Sequence, residues 1–463
     1  MKKHRFLAVL LFIVIISRIP LLVGGFGADG DGWRVAKSSL TLWNTGEYNI
    51  SRFPGFPAYE ILQAPLIGLG GSFASNSATL IVFIISLVIF RKIITQWNIP
   101  NANILVVTYA FLPILWKNSA LTMDYVWGLC GILAALLLLI KKRFLVAGIL
   151  LGLAAGTRIS HIVYFIPFFF LFERTERKQW FIFSATAVTT MFICYLPVAL
   201  SPTYQQIVTD YVADVRQFPQ WKRFAFFSYR FIFSIGLLGF FSVIVIFLFN
   251  SKKIATLLKE KSFVVSMATV VIALVVFAIL SDEREYLIPM MPFLLIVVGM
   301  FAARTQLIVT SALLISYAFI SVDLIEHSVA SPQPKIHFQQ GFVLKEWNDR
   351  KTIERGRTAL ANAPLPDSSV VMMGMGPLFW LENPAVEVDY AMEREFRADC
   401  ARSKLRTEVY YIYALYQKQL QEFRRRGYRI YYWDTMKDYL ETFIGYKLDD
   451  EKIEPLRTNQ TQK

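Results

Sequence analysis

Charge and cysteine are the two things this sequence has little of. Only 18% of its 463 residues are Asp, Glu, Lys or Arg while 55% are hydrophobic, for a mean hydropathy of +0.45. Soluble domains carry about a quarter charged residues, so this composition excludes an ordinary soluble protein and indicates an integral membrane one. Cys130, Cys194 and Cys400 stand far apart without metal-type spacing, so neither a zinc site nor a disulfide framework follows. No small-x-small cleavage site follows "FLAVLLFIVIISRIPLLVGG", which is read as a retained first helix instead of a removed signal peptide. No matching halves are visible, as a secondary transporter with a midplane site would be expected to show. "GMGPLFW" lacks a strand-to-helix dinucleotide context, so it is a weak signal for a nucleotide loop.

What is present is base. The formal charge of +14 falls in short clusters between apolar runs, where Lys and Arg orient spans and do not mark nucleic acid. The clusters are "MKKHR", "FRK" at 90–92, "KKR" at 141–143, "ERTERK" at 173–178, "NSKK" at 250–253 and "AAR" at 302–304. If all are cytoplasmic, each interval holds an even number of crossings. Spans then fall near 6–24, 76–90, 102–121 and 124–140, followed by a short hairpin whose apex carries "TRISH". Further spans fall near 180–200, 229–250, 263–280, 287–301 and 305–322, about eleven transmembrane helices in all. The N-terminus is expected in the cytoplasm and the C-terminus outside the cell (inner or plasma) membrane.

Residues 24–75 become a first outer loop pressed onto the membrane. In it "DGWRVAKSSLTLWNTGEY" is expected as an interfacial helix with Trp33 and Trp43 in the headgroup belt, and "AYEILQAPLIGLGG" lies in the interface as well. Arg18, near the outer end of the first span, is expected to snorkel. "SPTYQQIVTDYVADVRQFPQWKRF" joins two spans outside. The fold class is therefore an α-helical polytopic membrane protein, residues 1–324, carrying an extracytoplasmic α/β domain, residues 325–463. In that domain "SSVVMMG" and "YRIYYWD" read as strands and "RTEVYYIYALYQKQLQEFRRRG" as an amphipathic helix.

This topology puts Asp29, Asp31, Arg34, Arg52, Asp124, Arg158, His161, Glu283, Arg284 and Tyr286 on or just beneath the outer rim. Each also has a structural reading. Asp29, Asp31 and Asp124 are residues that cap helices, Arg34 and Lys37 suit lipid headgroups, "SDEREY" suits a solvated turn with Asp124 exposed in another, and Arg158 can pair with an aspartate. Together at one depth they suit a substrate with a lipid tail, an anionic junction and a polar head. Moving a sugar from a polyprenyl phosphate needs cations on the departing phosphate and one base on the acceptor hydroxyl, and a rim with one base and several arginines offers both. Glycosidases instead need two carboxylates flanking the bond, which the Asp29–Asp31 spacing in a glycine-rich turn does not ensure.

"DGDGWRVA", "TGEYNISRFPGFPAYE", "ALTMDY", "LLGLAAGTRIS" and "EREYLIPMMPF" resemble, in order and spacing, the landmarks of the GT-C membrane glycosyltransferases. Within that superfamily the likeness is to the bacterial protein O-mannosyltransferase and lipid A aminoarabinose transferase group, over roughly residues 5 to 300. The resemblance implies a polyprenyl-phosphate sugar donor used on the outer face. It puts Asp31 at the family's catalytic aspartate, with Asp29 as rival, and Arg52 at the basic residue that contacts donor phosphate. Asp124 matches an aspartate of the second outer loop, Arg158 a basic residue after a small-residue helix, and Arg284 with Tyr286 a late "E-R-Y" turn, and Arg158, Arg284 and Tyr286 are expected to bind the donor phosphate with Arg52. Gly32 replaces the usual acidic neighbour. No cofactor is required by this reading, although a divalent metal stays open. Partners are the lipid-linked donor, membrane lipids and a lipid, glycan or protein acceptor, with no nucleic acid. The other classes compatible with these residues are a flippase for a lipid-linked sugar and a non-catalytic envelope-polysaccharide assembly protein.

Overall fold

The structure is a computed structural model and describes residues 2–201, 204, 227–279, 283–327, 332–361, 365–396, 398–406 and 408–456. The expected outer connection at 201–224 lies almost wholly outside these residues, as does the start of "SDEREY". The chain divides into two compact units, one of residues 1–26 and 38–347, the other of residues 27–37 and 348–463.

The larger unit is helical. Its first elements are α1 (Lys2–Leu22), the second half of α2 (Gly30–Thr45), α3 (Pro57–Gln96), α4 (Ala102–Phe111), α5 (Pro113–Asn118), α6 (Tyr125–Ile140), α7 (Phe144–Thr157), α8 (Phe165–Phe168) and α9 (Arg177–Ala199). Five described helices are long and apolar enough to cross a membrane: Arg5–Leu22, Pro57–Gln96, Arg174–Ala199, Lys261–Ile279 and Arg284–Phe301. A pair bent by 61°, Leu237–Phe249 with Ser251–Leu257, makes a sixth if it is one span. Exposed apolar side chains along α1 and α9, among them Phe12, Ile16, Ile19, Phe181, Phe192 and Leu196, suit hydrocarbon and not water.

Segments expected as single spans are often broken. Residues 102–121 divide at Pro113, whose missing N–H and ring end the first helix, and 305–322 stops at Ser316 before strand β1 (Ile320–His327). β1 pairs antiparallel with β2 (Pro332–Gln340). "AYEILQAPLIGLGG" is continuous with the following span in α3, apart from a break at Gly70 and Gly71.

Small residues set how closely the central helices approach. Cβ atoms added at Gly148, Gly152 and Gly156 of α7 would lie 1.9, 2.5 and 2.7 Å from Thr186, Thr190 and Cys194 of α9. One at Gly131 of α6 would meet Ala154 of α7 at 2.8 Å. A four-residue rhythm of glycines facing a four-residue rhythm of small side chains lets backbones touch, as in membrane helix pairs. Where this contact ends at Thr157, the chain turns extended at Arg158 (φ −160°, ψ 115°) and continues as a 3-10 turn over Ile159–Tyr164.

The smaller unit is a mixed sheet in the order β4-β5-β6-β3-β7-β8. β3 (Ser369–Met372), β6 (Val409–Ile412), β7 (Arg429–Trp433) and β8 (Glu454–Leu456) run parallel, and β5 (Cys400–Ser403) and β4 (Val386–Val388) add antiparallel at one edge. All four residues of β3 are buried, as expected of a central parallel strand covered on both faces. Val370, Met372, Ile412, Leu420, Phe423, Ile430 and Leu440 form its core.

Two readings of this region change. "RTEVYYIYALYQKQLQEFRRRG" is not one helix: Val409–Ile412 is strand β6, and the helix is Gln417–Arg425. "GMGPLFW" does follow a strand, β3, through Gly374 at φ 65° into a five-residue helix, Gly376–Trp380.

Candidate active site

In the larger unit the charged side chains converge on one buried carboxylate. Asp124, expected in an exposed outer turn, is fully buried. Its Oδ2 accepts from Arg158 Nε at 2.7 Å, and its Oδ1 accepts from Arg158 Nη2 at 3.2 Å and from Arg52 Nη2 at 2.9 Å. The turn before α6 is drawn inward by a polar chain that starts in α3. Ser75 and Thr122 hydroxyls lie 2.7 Å apart, Thr122 donates to Asn76 Oδ1 at 3.0 Å, and Asn76 Nδ2 donates to the Gly25 carbonyl at 2.9 Å. Asp124 precedes α6 but makes no side-chain capping bond, so the capping role does not apply.

Aromatic rings enclose the cations. The Arg158 guanidinium lies over Tyr125 at 4.3 Å, Tyr286 at 4.5 Å and Phe56 at 5.0 Å, and Arg52 shares the Phe56 ring at 4.1 Å. Such faces favour a cation away from water. Tyr286 also hydrogen bonds with Arg158, and Tyr125 donates its hydroxyl to Glu283. His161 is buried below, its Nδ1 3.0 Å from the Ala154 carbonyl, against Gly128, where a Cβ would come within 2.1 Å of the ring.

A residue not singled out from sequence fixes Arg52. Glu60, in the first turn of α3 and fully buried, accepts from the Ser51 N–H at 3.1 Å and from the Phe56 N–H at 3.4 Å. The hydroxyls of Ser51 and Tyr48 also donate to it, and Tyr195 from α9 donates to the Gly55 carbonyl at 3.1 Å. One carboxylate thus shapes the backbone on which Arg52 stands. The signal was a lone acid in an apolar helix, where an ionisable group is costly unless it has work or partners.

Arg284 is engaged elsewhere in this unit, donating to Tyr317 Oη at 3.2 Å and to the Phe233 carbonyl at 3.4 Å. Its neighbour Glu285 pairs with Lys117 at 3.0 Å, and Lys117 also lies 3.8 Å from Glu346, so "SDEREY" is in part a buried ion-pair site and not a solvated turn. Arg18 does not snorkel. It is buried, donates to Ser119 Oγ at 3.1 Å and Ser17 Oγ at 2.7 Å, and stands 4.9 to 5.3 Å from the rings of Phe83, Phe111 and Trp116. Backbone and hydroxyl acceptors with three rings hold it more completely than the membrane surface would.

The first-loop aspartates belong to the smaller unit. Asp29 Oδ1 accepts from the Asp31 N–H at 3.0 Å, the bond by which an aspartate caps the start of a helix. Asp31, in the first turn of α2, pairs with Arg34 at 3.3 Å. Trp33 is buried, not in a headgroup belt: its Nε1 donates to the Gly27 carbonyl at 2.7 Å and Arg357 covers its ring at 5.1 Å. Lys37 is no headgroup contact either. It pairs with Glu393 at 2.8 Å and with Asp399, and burial pushes its ammonium below the usual lysine range while Glu393 works the other way. Among the described residues no three His, Cys, Asp or Glu side chains gather to hold a metal ion.

Two guanidinium groups meet at the Asp124 carboxylate, with the Glu60 carboxylate beneath the Arg52 loop and the Glu283 carboxylate on Tyr125, in surroundings where charge is weakly screened. Guanidinium N–H groups of this kind suit an oxyanion ligand. No curated protein matches this sequence. The sequence pattern of glycosyltransferase family 87 matches residues 59–319, more than half of the chain, including Glu60, Asp124, Arg158 and Tyr286. The chain therefore belongs to glycosyltransferase family 87, a membrane protein whose substrates are a sugar donor and a sugar acceptor.

Proposed function

We propose that this protein is an inverting GT-C glycosyltransferase of the cell membrane, moving a sugar from a polyprenyl phosphate to an acceptor hydroxyl on the outer face. The observation that carries the reading is the pair Arg52 and Arg158 on the single carboxylate of Asp124. The donor phosphate is received by these two guanidinium groups, and as the bond from sugar C1 to phosphate oxygen breaks, the departing electron pair is stabilised by guanidinium N–H groups already in place. Tyr286 and Tyr125 orient Arg158 for this. Arg284 joins only by releasing Tyr317 and the Phe233 carbonyl.

The acceptor oxygen forms the new bond to C1 from the opposite side and gives its proton to a carboxylate. Asp124 is unsuited, because both of its oxygens already accept from the Arg158 and Arg52 guanidinium groups. Asp31 is the base in this reading and Asp29 the rival, although Asp29 is already used at the start of α2. The reaction is written without a divalent ion.

Membranes carrying each variant, given radiolabelled polyprenyl-phosphate sugar, test this. Arg52→Ala and Asp31→Asn are expected to lose transfer by roughly a hundredfold or more while remaining inserted. Normal transfer in Arg52→Ala removes the phosphate site, and normal transfer in Asp31→Asn with loss in Asp29→Asn moves the base by two positions. Label carried into sealed vesicles without a new glycosidic product identifies a flippase instead.

A further inference from the structure

The smaller unit contains a cavity of about 460 Å³ that the phosphate site does not use. It opens at the carboxyl ends of the parallel strands. Gly374–Leu378 follow β3, Tyr413 follows β6, and Met436 and Tyr439 follow β7. In open sheets with parallel strands this end is where ligands are taken up, because strands end there together and their loops diverge. The volume falls in the range of small-ligand pockets.

Its walls have a particular chemistry. Tyr439 and Met375 are 45% and 41% exposed, large fractions for side chains of their kind. Tyr439 stacks on Phe443 with centroids 6.1 Å apart and planes at 12°, Tyr413 meets the same Phe443 edge-on at 5.2 Å, and the hydroxyls of Tyr413 and Tyr439 bond to each other. The other walls bring Arg34, Asp349 and Thr352. Arg34 is balanced by Asp31, so the lining offers no surplus cation for a phosphate or carboxylate.

Exposed aromatic faces beside paired charges and hydroxyls match a neutral ligand with one apolar face and a polar edge. A pyranose ring is such a ligand, because its axial C–H groups are slightly positive and meet the negative face of a tyrosine, while equatorial hydroxyls bond to the rim. We infer that this cavity binds a saccharide segment of the acceptor, making the acceptor a glycan or glycolipid. Tyr439 and Tyr413 are the stacking platform, and Arg34 and Asp349 take the hydroxyls. The inference rests on the glycosyltransfer reading for the word acceptor, and the two meet in the Asp31–Arg34 pair: Arg34 lines the cavity and Asp31 is the proposed base.

The test is binding, separate from turnover. Full-length protein in nanodiscs is presented to an array of uncharged hexose, pentose and N-acetylated amino-sugar oligosaccharides, and hits are measured by saturation-transfer NMR. Wild type is expected to bind at least one group, Tyr439→Ala to weaken it roughly tenfold, and Tyr439→Phe, which keeps the ring, to bind nearly as wild type. An unaltered melting temperature in both variants establishes that the fold is kept. No binding by wild type, or equal binding by Tyr439→Ala, overturns the inference. Arg52→Ala separates the two readings: it is expected to keep saccharide binding while losing transfer. If it keeps both, the phosphate reading fails and the saccharide site stands.

Discussion

The two units use charge in opposite ways. In the larger one, Asp124, Arg158, Glu285, Lys117 and Arg52 are buried or nearly so and share partners, so each acid answers for more than one cation or the reverse. In the smaller one most pairs lie in the open, as with Arg402 and Glu387 at 40% and 45% exposure. Lys37 with Glu393 and Arg357 with Glu382 are exceptions among the described residues. A charge out of water costs several kcal/mol if left alone, while a surface pair adds little, so the same substitution means different things in the two places.

Asp124→Ala breaks the comparison most directly. It takes the shared carboxylate from two guanidinium groups and is expected to cost about 3–5 kcal/mol, seen as loss of folded protein in detergent. Asp124→Leu combined with Arg158→Met is expected to recover much of that stability and none of the transfer. Gly152→Leu, which needs no charge at all, places a side chain where even a Cβ lies 2.5 Å from Thr190. A cost of about 1–3 kcal/mol is expected in thermal unfolding.

Glu60→Gln keeps the shape but turns an amide N–H₂ toward two of its four donors. About 1–3 kcal/mol of the loop's ordering should be lost, and donor KM should rise more than kcat falls. Lys37→Met carries the comparison into the smaller unit: Glu393 loses its cation and a similar loss, about 1–3 kcal/mol, should appear in its hydrogen exchange. Glu387→Ala is the smallest, under ~0.5 kcal/mol, and a clear fall in melting temperature there would contradict the surface-pair argument.

Much of the backbone was legible, and depth was not. Period and length marked α2, β3, β7 and the helices at 177–199 and 261–279, because each pattern admits one geometry. "VYYIYALY" misled, since its apolar residues suit a strand and a helix alike, and only pairing with β3 and β5 decides for β6. Arg18, Trp33 and Asp124 were read as exposed because topology assigns a residue to a side of the bilayer and says nothing of how far neighbours cover it. Arg52, Asp124, Arg158 and Tyr286 were each singled out, but their meeting depends on Glu60 and on the polar chain through Asn76, where a single residue carries no visible pattern. The separate placement of Asp29 and Asp31 in the smaller unit also had no local sign.

The three glycines of α7 have a consequence for how Arg158 can change. Each rests against a threonine, a cysteine or a carbonyl of α9, so neighbouring rotations and one-residue slides are shut out by contact. The guanidinium is thus placed by counting along one helix. A single alanine inserted after Gly156 would swing it through about 100°, whereas one inserted before Gly148 would leave the ladder, and the arginine's address, untouched.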